Sequence, residues 1–415
     1  MAITLYPTQR MRAEVILPAS KSISNRALLI CALSRNKELP ENLSDSDDTH
    51  VVLRALSTMP DIIDIGAAGT AMRFLTAYLS VTAGEHVITG TERMLHRPIS
   101  ILVDALRQLG ACITYEGEEG FPPLRITGNN KLEGGELTVP GNVSSQYISA
   151  LLMIAPTLKK GLRLTLTGQI ASRPYLDMTI SMMRDFGANV EWSGENIIEV
   201  QPGSYQQKVY HIESDWSASS YWYEMMALTD DADAEVNLVG LHHESIQGDS
   251  KVQQLFNELG VETLHQVAED GTEFVRLRKS GNRTSRFCCD FTHPPDLAQT
   301  FVVTCVMLNI PFHFTGLQSL KIKETDRMAA LRTELRKLGY DIQEQDDSVL
   351  YWNGELCQAQ ATPIIDTYED HRMAMAFAPC AMKLGNLKMN HPEVVSKSYP
   401  AYWDDLKKVG FKICR

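Results

Sequence analysis

The sequence has 415 residues, 44% hydrophobic and 22% charged, which is enough apolar material for two or three packed cores and excludes a disordered or fibrous chain. Asp plus Glu number 51 against 39 for Lys plus Arg, a net charge of −12, so no nucleic-acid partner is expected and any bound anion must be met by a local cluster of cations. The most apolar runs fall far short of the ~20 residues that span a bilayer, so no membrane association is expected either.

The chain opens on MAITLYPTQRMRAEVILPAS, which holds no apolar leader segment. Its eight cysteines are scattered without a CxxC pair, which fits free thiols in a reducing, cytoplasmic setting. Cys31, Cys305 and Cys380 fall inside apolar helical stretches, where a small buried thiol is expected.

The first predicted helix follows a small polar turn in PASKSISNRALLICAL, residues 18–33. The same phrase returns in residues 65–79 (IGAAGTAMRFLTAYL), 139–153 (VPGNVSSQYISALLM), 214–228 (SDWSASSYWYEMMAL), 290–306 (DFTHPPDLAQTFVVTCV) and 366–382 (DTYEDHRMAMAFAPCAM). Six copies imply six units, three in each half. A turn of Ser, Asn or Gly can cap the helix behind it, whose N-terminus offers N–H groups and a positive dipole to phosphate or carboxylate.

A second phrase, an amphipathic run ending in hydrophobic-Gly-hydrophobic, occurs at Gly110, Gly187, Gly260, Gly339 and Gly410, with separations of 77, 73, 79 and 71. A helix that ends at a glycine cap and feeds a strand explains each copy, and the steady period means one supersecondary unit reused. The first unit is irregular. Its second helix, roughly Asp48–Thr58, runs into Met59-Pro60 with no glycine, so this unit has lost a piece, expected to be a strand pair.

Charged residues gather at the repeat turns: Lys21 and Arg26, Arg73, Arg97, then Lys323, Glu324, Asp326 and Arg327, then Asp370, His371 and Arg372, and finally Lys397. Any one alone reads as a solvated helix end or an ordinary ion pair. Together, in an acidic chain, they ask for a small, multiply anionic ligand. Asp296 opens an apolar helix and is either its cap or a base. Glu324 stands between Lys323 and Arg327, and a carboxylate ringed by cations can act as a base. No dinucleotide fingerprint, phosphate-binding P-loop or zinc spacing occurs.

LPASKSISNRALL, GAAGTAMR, HRPI, GNVSSQYISALLM, SRPYLDMT, KETDR and DHRMAM, taken in order, resemble the 5-enolpyruvylshikimate-3-phosphate synthase family from about Leu17 to the C-terminus. The resemblance implies an α/β fold: a two-domain inside-out α/β barrel of six βαβαββ-type repeats, three per domain, here with the first repeat shortened. The upper domain would span 21–212 and the lower domain 1–20 with 213–415, the chain's first strand joining the lower one and the active site lying in the interdomain cleft. The implied reaction joins shikimate 3-phosphate to phosphoenolpyruvate and releases phosphate. The resemblance also implies a monomer that uses no metal and no organic cofactor.

By the same resemblance, shikimate 3-phosphate would be held by Lys21, Ser22, Arg26, Ser144, Ser145, Gln146, Ser172, Tyr175, Asp296, Ser319 and Lys323. Phosphoenolpyruvate would be held by Lys21, Gly69, Arg97, Gln146, Arg327, Arg372 and Lys397. Asp296, Glu324 and Lys21 would carry the acid–base steps. Ala67, Ser319 and Arg173 depart from residues frequent in the family, and Gly69 implies sensitivity to glyphosate. Two other readings stand beside this one. A UDP-N-acetylglucosamine enolpyruvyl transferase usually carries a reactive Cys before the Arg of its RP motif, and Thr91–His96 before Arg97 contains none. A non-catalytic anion-binding homologue is suggested by the shortened first unit.

Overall fold

The structure is a computed structural model and describes residues 2–36 and 38–415. The chain forms two compact units. One comprises the residues up to Pro18 together with Glu213–Arg415, and the other comprises Ala19–Ile212. Both are mixed α/β.

The first unit holds three four-stranded sheets and the second holds two. All five follow one plan, a parallel pair extended by two antiparallel strands. In the first unit Phe287–Asp290 runs parallel to Phe312–Thr315, which pairs antiparallel with Val349–Trp352, itself antiparallel to Gln343–Gln345. In the second unit the same order joins Gly135–Pro140, Leu162–Thr167, Ile197–Val200 and Val190–Trp192, and again Ile62–Asp64, Gly84–Thr89, Leu124–Gly128 and Cys112–Tyr115. A parallel pair needs a crossover of a dozen residues or more. Here the apolar helices predicted after each polar turn supply it: Gly69–Val81, Ser145–Ile154 and Ala298–Met307.

The helices that end each repeat stop where the sequence pattern places them. Gly110, Gly187, Gly260, Gly339 and Gly410 all have φ between +83° and +101°, a region that a side chain makes costly. Residues 19–60 depart from the plan. They hold the helices Lys21–Leu33 and Asp47–Thr58 and, among the described residues, no strand. The parallel pair of the plan is reduced here to a bridge of Glu41 with His211, with Glu41 N–H donating to Tyr210 O (2.9 Å) and Ile212 N–H to Glu41 O (3.1 Å), and the antiparallel strand pair is absent among the described residues, in keeping with the expected loss. The second helix ends on Met59 at φ 42°, a left-handed cap without glycine.

The two N-terminal strands both join the first unit. Ala2–Tyr6 sits between Leu387–Asn390 and Lys412–Cys414, and Arg12–Ile16 runs parallel to Glu235–Val239. The second unit is thus an insertion after the strand that begins the sheet finished by Glu235–Val239.

The central helices are apolar on all sides and buried accordingly. In Gly69–Val81 every residue but Thr70 is buried, in Ser145–Ile154 every residue but Gln146, and in Trp216–Leu228 every residue but Ser217. Each exception lies in the first turn, so these helices reach solvent only at their N-terminal ends. All eight cysteines are free thiols, with Cys31, Cys305 and Cys380 buried.

One buried residue works against the fold. Glu224, at the centre of Trp216–Leu228, is fully buried and both carboxyl oxygens lack a hydrogen-bond partner. Thr304 beside it donates its hydroxyl to Thr300 O at 2.7 Å. Burial raises the Glu224 carboxyl well above its usual value of 4.5. The folded state therefore holds this proton more tightly than the unfolded state, and stability is lost as pH rises above the unfolded value. Glu224→Met is expected to stabilise the protein by about 1–3 kcal/mol near pH 5 and by more near pH 8, read from urea unfolding at both pH values. A gain that does not grow with pH would contradict it.

Candidate active site

The predicted site residues form two connected sets, one on each unit. In the second unit the set is built on helix N-termini. Ser20 caps Lys21–Leu33 by accepting from Ile23 N, and Lys21 in its first turn pairs with Asp48 at 3.1 Å. One turn later Arg26 is buried between helices. It donates to Thr179 Oγ1 (2.7 Å), Ser22 O (2.9 Å), Ser149 Oγ (3.2 Å) and Tyr175 O (3.4 Å), none of them a carboxylate. Burial lowers its guanidinium to about 10, so it keeps its charge at neutral pH. A buried cation surrounded by neutral oxygens favours an incoming anion.

Ser144 caps Ser145–Ile154, accepting from Gln146 N, and the Gln146 side chain donates to Thr70 Oγ1 at 3.0 Å. That bond ties two helix N-termini together. Ser172 precedes Arg173–Asp185 in the left-handed region (φ 54°, ψ 38°), a strained conformation for serine that leaves the helix end without a side-chain cap. Tyr175 lies in the first turn of that helix. Arg173 stacks on Trp192 at 4.2 Å.

The N-terminus of Gly69–Val81 follows Ala68 and also has no side-chain cap. A Cβ built on Gly69 would lie 2.6 Å from Arg97 Nη1 and 2.8 Å from Arg73 Nη1. Two guanidinium groups thus press on the backbone at an open helix end.

In the first unit the centre is Arg327, whose side chain is 2% exposed. Asp326 caps its helix, Arg327–Lys337. Arg327 donates to both oxygens of Asp370 (2.7 and 3.3 Å), to Glu324 Oε2 (3.0 Å) and to Asp296 Oδ1 (3.3 Å). Asp296, on the short turn Pro295–Leu297, also meets Arg372 Nη2 at 2.9 Å and Lys323 Nζ at 3.6 Å. Glu324 meets Lys397 Nζ at 3.3 Å. Ser319 lies on the turn Gln318–Ile322 just before Lys323.

Burial pushes the Asp296 carboxyl up, but Arg372, Lys323 and Arg327 together outweigh it and hold it well below the usual carboxylate range. Burial alone would lower Arg327, and Asp370, Glu324 and Asp296 more than reverse this.

The helix N-termini are not equally available to an anion. Asp215 caps Trp216–Leu228 and Asp370 caps His371–Phe377, so carboxylates of the chain itself occupy two of the six turns. The expectation of six anion-binding turns is corrected on that point. Three partners escape the sequence reading: Asp48 on Lys21, Thr179 on Arg26 and Asp370 on Arg327. Only Asp370 carries a usable signal, its position just before an apolar helix start.

Comparisons with known proteins show the family. The family model described as EPSP synthase (3-phosphoshikimate 1-carboxyvinyltransferase) matches residues 5–63 and 56–406. A 3-phosphoshikimate 1-carboxyvinyltransferase of Bacteroides fragilis is 57% identical, covering 100% of this chain and 99% of the relative. One from Sulfurovum sp. is 34% identical over 99% of both. The crystal structure of EPSP synthase from Acinetobacter baumannii superposes with a TM-score of 0.78 at 21% identity, covering all of both chains.

Proposed function

The chain belongs to the EPSP synthase family, and we propose that its two residue sets divide the family's substrates and proton transfers between them. It transfers the enolpyruvyl group of phosphoenolpyruvate to the 5-hydroxyl of shikimate 3-phosphate and releases phosphate.

The observation that carries the assignment is the network around Arg327. Two carboxylates, Asp296 and Glu324, are held by one buried guanidinium within a group of four cations. In addition, the 5-hydroxyl oxygen bonds to C2 of phosphoenolpyruvate, its proton passes to Asp296, and C3 takes a proton from Glu324. In elimination the C2–O bond to phosphate breaks, C3 returns its proton to Glu324, and the departing phosphate takes the proton that Asp296 received from the hydroxyl, which resets both carboxyl groups. No electron is gained or lost, and the balance closes without a further reactant.

Arg327, Arg372, Lys397 and Arg97 neutralise the phosphoenolpyruvate carboxylate and the leaving phosphate, preorganised for charge that develops in the transition state. Lys21 and Gln146 serve both substrates, with Lys21 a third proton carrier. Ser22, Arg26, Ser144, Ser145, Ser172, Tyr175, Ser319 and Lys323 hold shikimate 3-phosphate. The five sheets of one plan, with the helix pair of residues 19–60, support a reading as six related units forming two inside-out barrels. Holding the two anionic substrates side by side supplies proximity worth several kcal/mol, up to roughly 10.

Phosphate release from phosphoenolpyruvate with shikimate 3-phosphate, run beside UDP-N-acetylglucosamine as acceptor, tests the reading. Release with the first acceptor only is expected. Release with the second would transfer the chain to the other enolpyruvyl reaction, and silence with both would leave an anion-binding protein. A finer test is Gly69→Ala. Gly69 is open to an ordinary helical residue, and the added methyl would displace only the ends of two arginines. The variant is expected to fold and to raise KM for phosphoenolpyruvate by about ten-fold, with KM for shikimate 3-phosphate little changed. Equal effects on both would place Arg97 on the wrong substrate.

A further inference from the structure

The second unit holds Arg26 with hydroxyl and carbonyl oxygens alone. Its guanidinium has five N–H groups. Nε donates to Thr179 on the helix Arg173–Asp185, and Nη2 donates to Ser149 on Ser145–Ile154 and to Tyr175 O. One N–H of Nη1 goes to Ser22 O in the first turn of its own helix, Lys21–Leu33. The other N–H of Nη1 has no partner among the described residues. The guanidinium also lies 5.4 Å from the centre of the Phe74 ring on Gly69–Val81.

The two hydroxyls can be satisfied in one way. Thr179 has a single proton, and it goes to Tyr175 O at 2.8 Å. Ser149 is therefore the donor in its 2.9 Å bond to Thr179, and both hydroxyls keep a lone pair for Arg26. Ser149 and Thr179 are fully buried. A buried network with every member satisfied fixes what it holds.

Placing a charge and cancelling it are different tasks. A carboxylate at position 179 could also hold Nε, but it would supply the counter-charge itself. Neutral oxygens place the guanidinium and leave its charge uncancelled, which favours an anion that brings the missing charge. The three helices tied to Arg26 carry Ser22, Ser145 and Tyr175 in their first turns. Resting on the reading of Arg26 as a residue that holds shikimate 3-phosphate, we propose that Thr179 and Ser149 are positioning residues that present Arg26 to this substrate as a fixed, uncancelled charge. Neither touches the substrate. They act through Arg26, on the affinity for the acceptor and not on phosphoenolpyruvate or the chemical step.

Thr179→Val keeps the shape and leaves Nε without its acceptor. It is expected to raise KM for shikimate 3-phosphate about ten-fold and to change kcat and KM for phosphoenolpyruvate by no more than about two-fold. Thr179→Ser should restore most of the loss, and Ser149→Ala should raise the same KM about three-fold. Thr179→Asp separates placement from charge. It is expected to resist urea at least as well as Thr179→Val and yet to bind shikimate 3-phosphate at least about a hundred-fold more weakly than wild type in calorimetric titration. Wild-type affinity in Thr179→Asp would overturn the proposal, as would an unchanged KM for shikimate 3-phosphate in both Thr179→Val and Ser149→Ala. A rise of both KM values together would make the hydroxyls structural and overturn it too. If Thr179→Val does not fold, Thr179→Asp and Ser149→Ala decide the matter. Arg26→Gln, run in parallel, separates the two claims. If it binds shikimate 3-phosphate as wild type does, the underlying reading fails. If it loses binding while the Thr179 and Ser149 variants match wild type, only the proposal fails.

Discussion

Glu324→Gln is expected to lower kcat by about two to four orders of magnitude while leaving both KM values within several-fold of wild type. The glutamine keeps the volume and one acceptor oxygen, so one of the contacts to Arg327 (3.0 Å) and Lys397 (3.3 Å) survives. What it cannot do is give a proton to C3 and take one back. A group that acts only in the transition state removes kcat and kcat/KM together. Steady-state kinetics with each substrate varied in turn, alongside binding of shikimate 3-phosphate to the variant, read the split. A raised KM with unchanged kcat would make Glu324 a binding residue and move the C3 proton to another group, with Lys21 the first alternative.

Arg327→Lys is expected to cost about 3–5 kcal/mol of stability and at least about a hundred-fold in kcat/KM. Arg327 uses Nε, Nη1 and Nη2 to reach Asp370, Asp296 and Glu324 at distances from 2.7 to 3.3 Å. A lysine keeps the charge but offers one nitrogen, which cannot reach three carboxylates fixed around a planar fork. Of those left behind, Asp370 is fully buried, while Asp296 and Glu324 are partly buried. Urea unfolding and kinetics on the same preparation test the two halves together. A variant within a few-fold of wild type in both would mean that charge alone, and not the fork, organises the site.

The turns were legible in the sequence because each rests on a local rule. The five glycines at positive φ are visible as hydrophobic-Gly-hydrophobic phrases, since only glycine takes that backbone without strain. The apolar helices are visible because a helix buried on all sides needs no polar face. The site cations are visible as a group because lysines and arginines gathered at so many of the repeat turns are hard to explain singly in a chain of net charge −12. The loss of a strand pair in the first repeat was legible as a short interval before the next turn, but the reduction of the remaining parallel pair to a bridge of Glu41 with His211 was not, because the interval says nothing of the strands that stay.

The sequence by itself determined the repeat plan, the family and the residue types that meet the anions, because these follow from periodicity, backbone preference and charge within a few residues. Only the tertiary structure decided which carboxylate holds which cation. Asp370 on Arg327 and Asp48 on Lys21 join positions 43 and 27 residues apart. It also decided that Glu224 stands unpartnered in the core. Pairing across such spans is set by how helices pack and how much water they exclude, and both depend on the whole fold rather than on the neighbours in the chain.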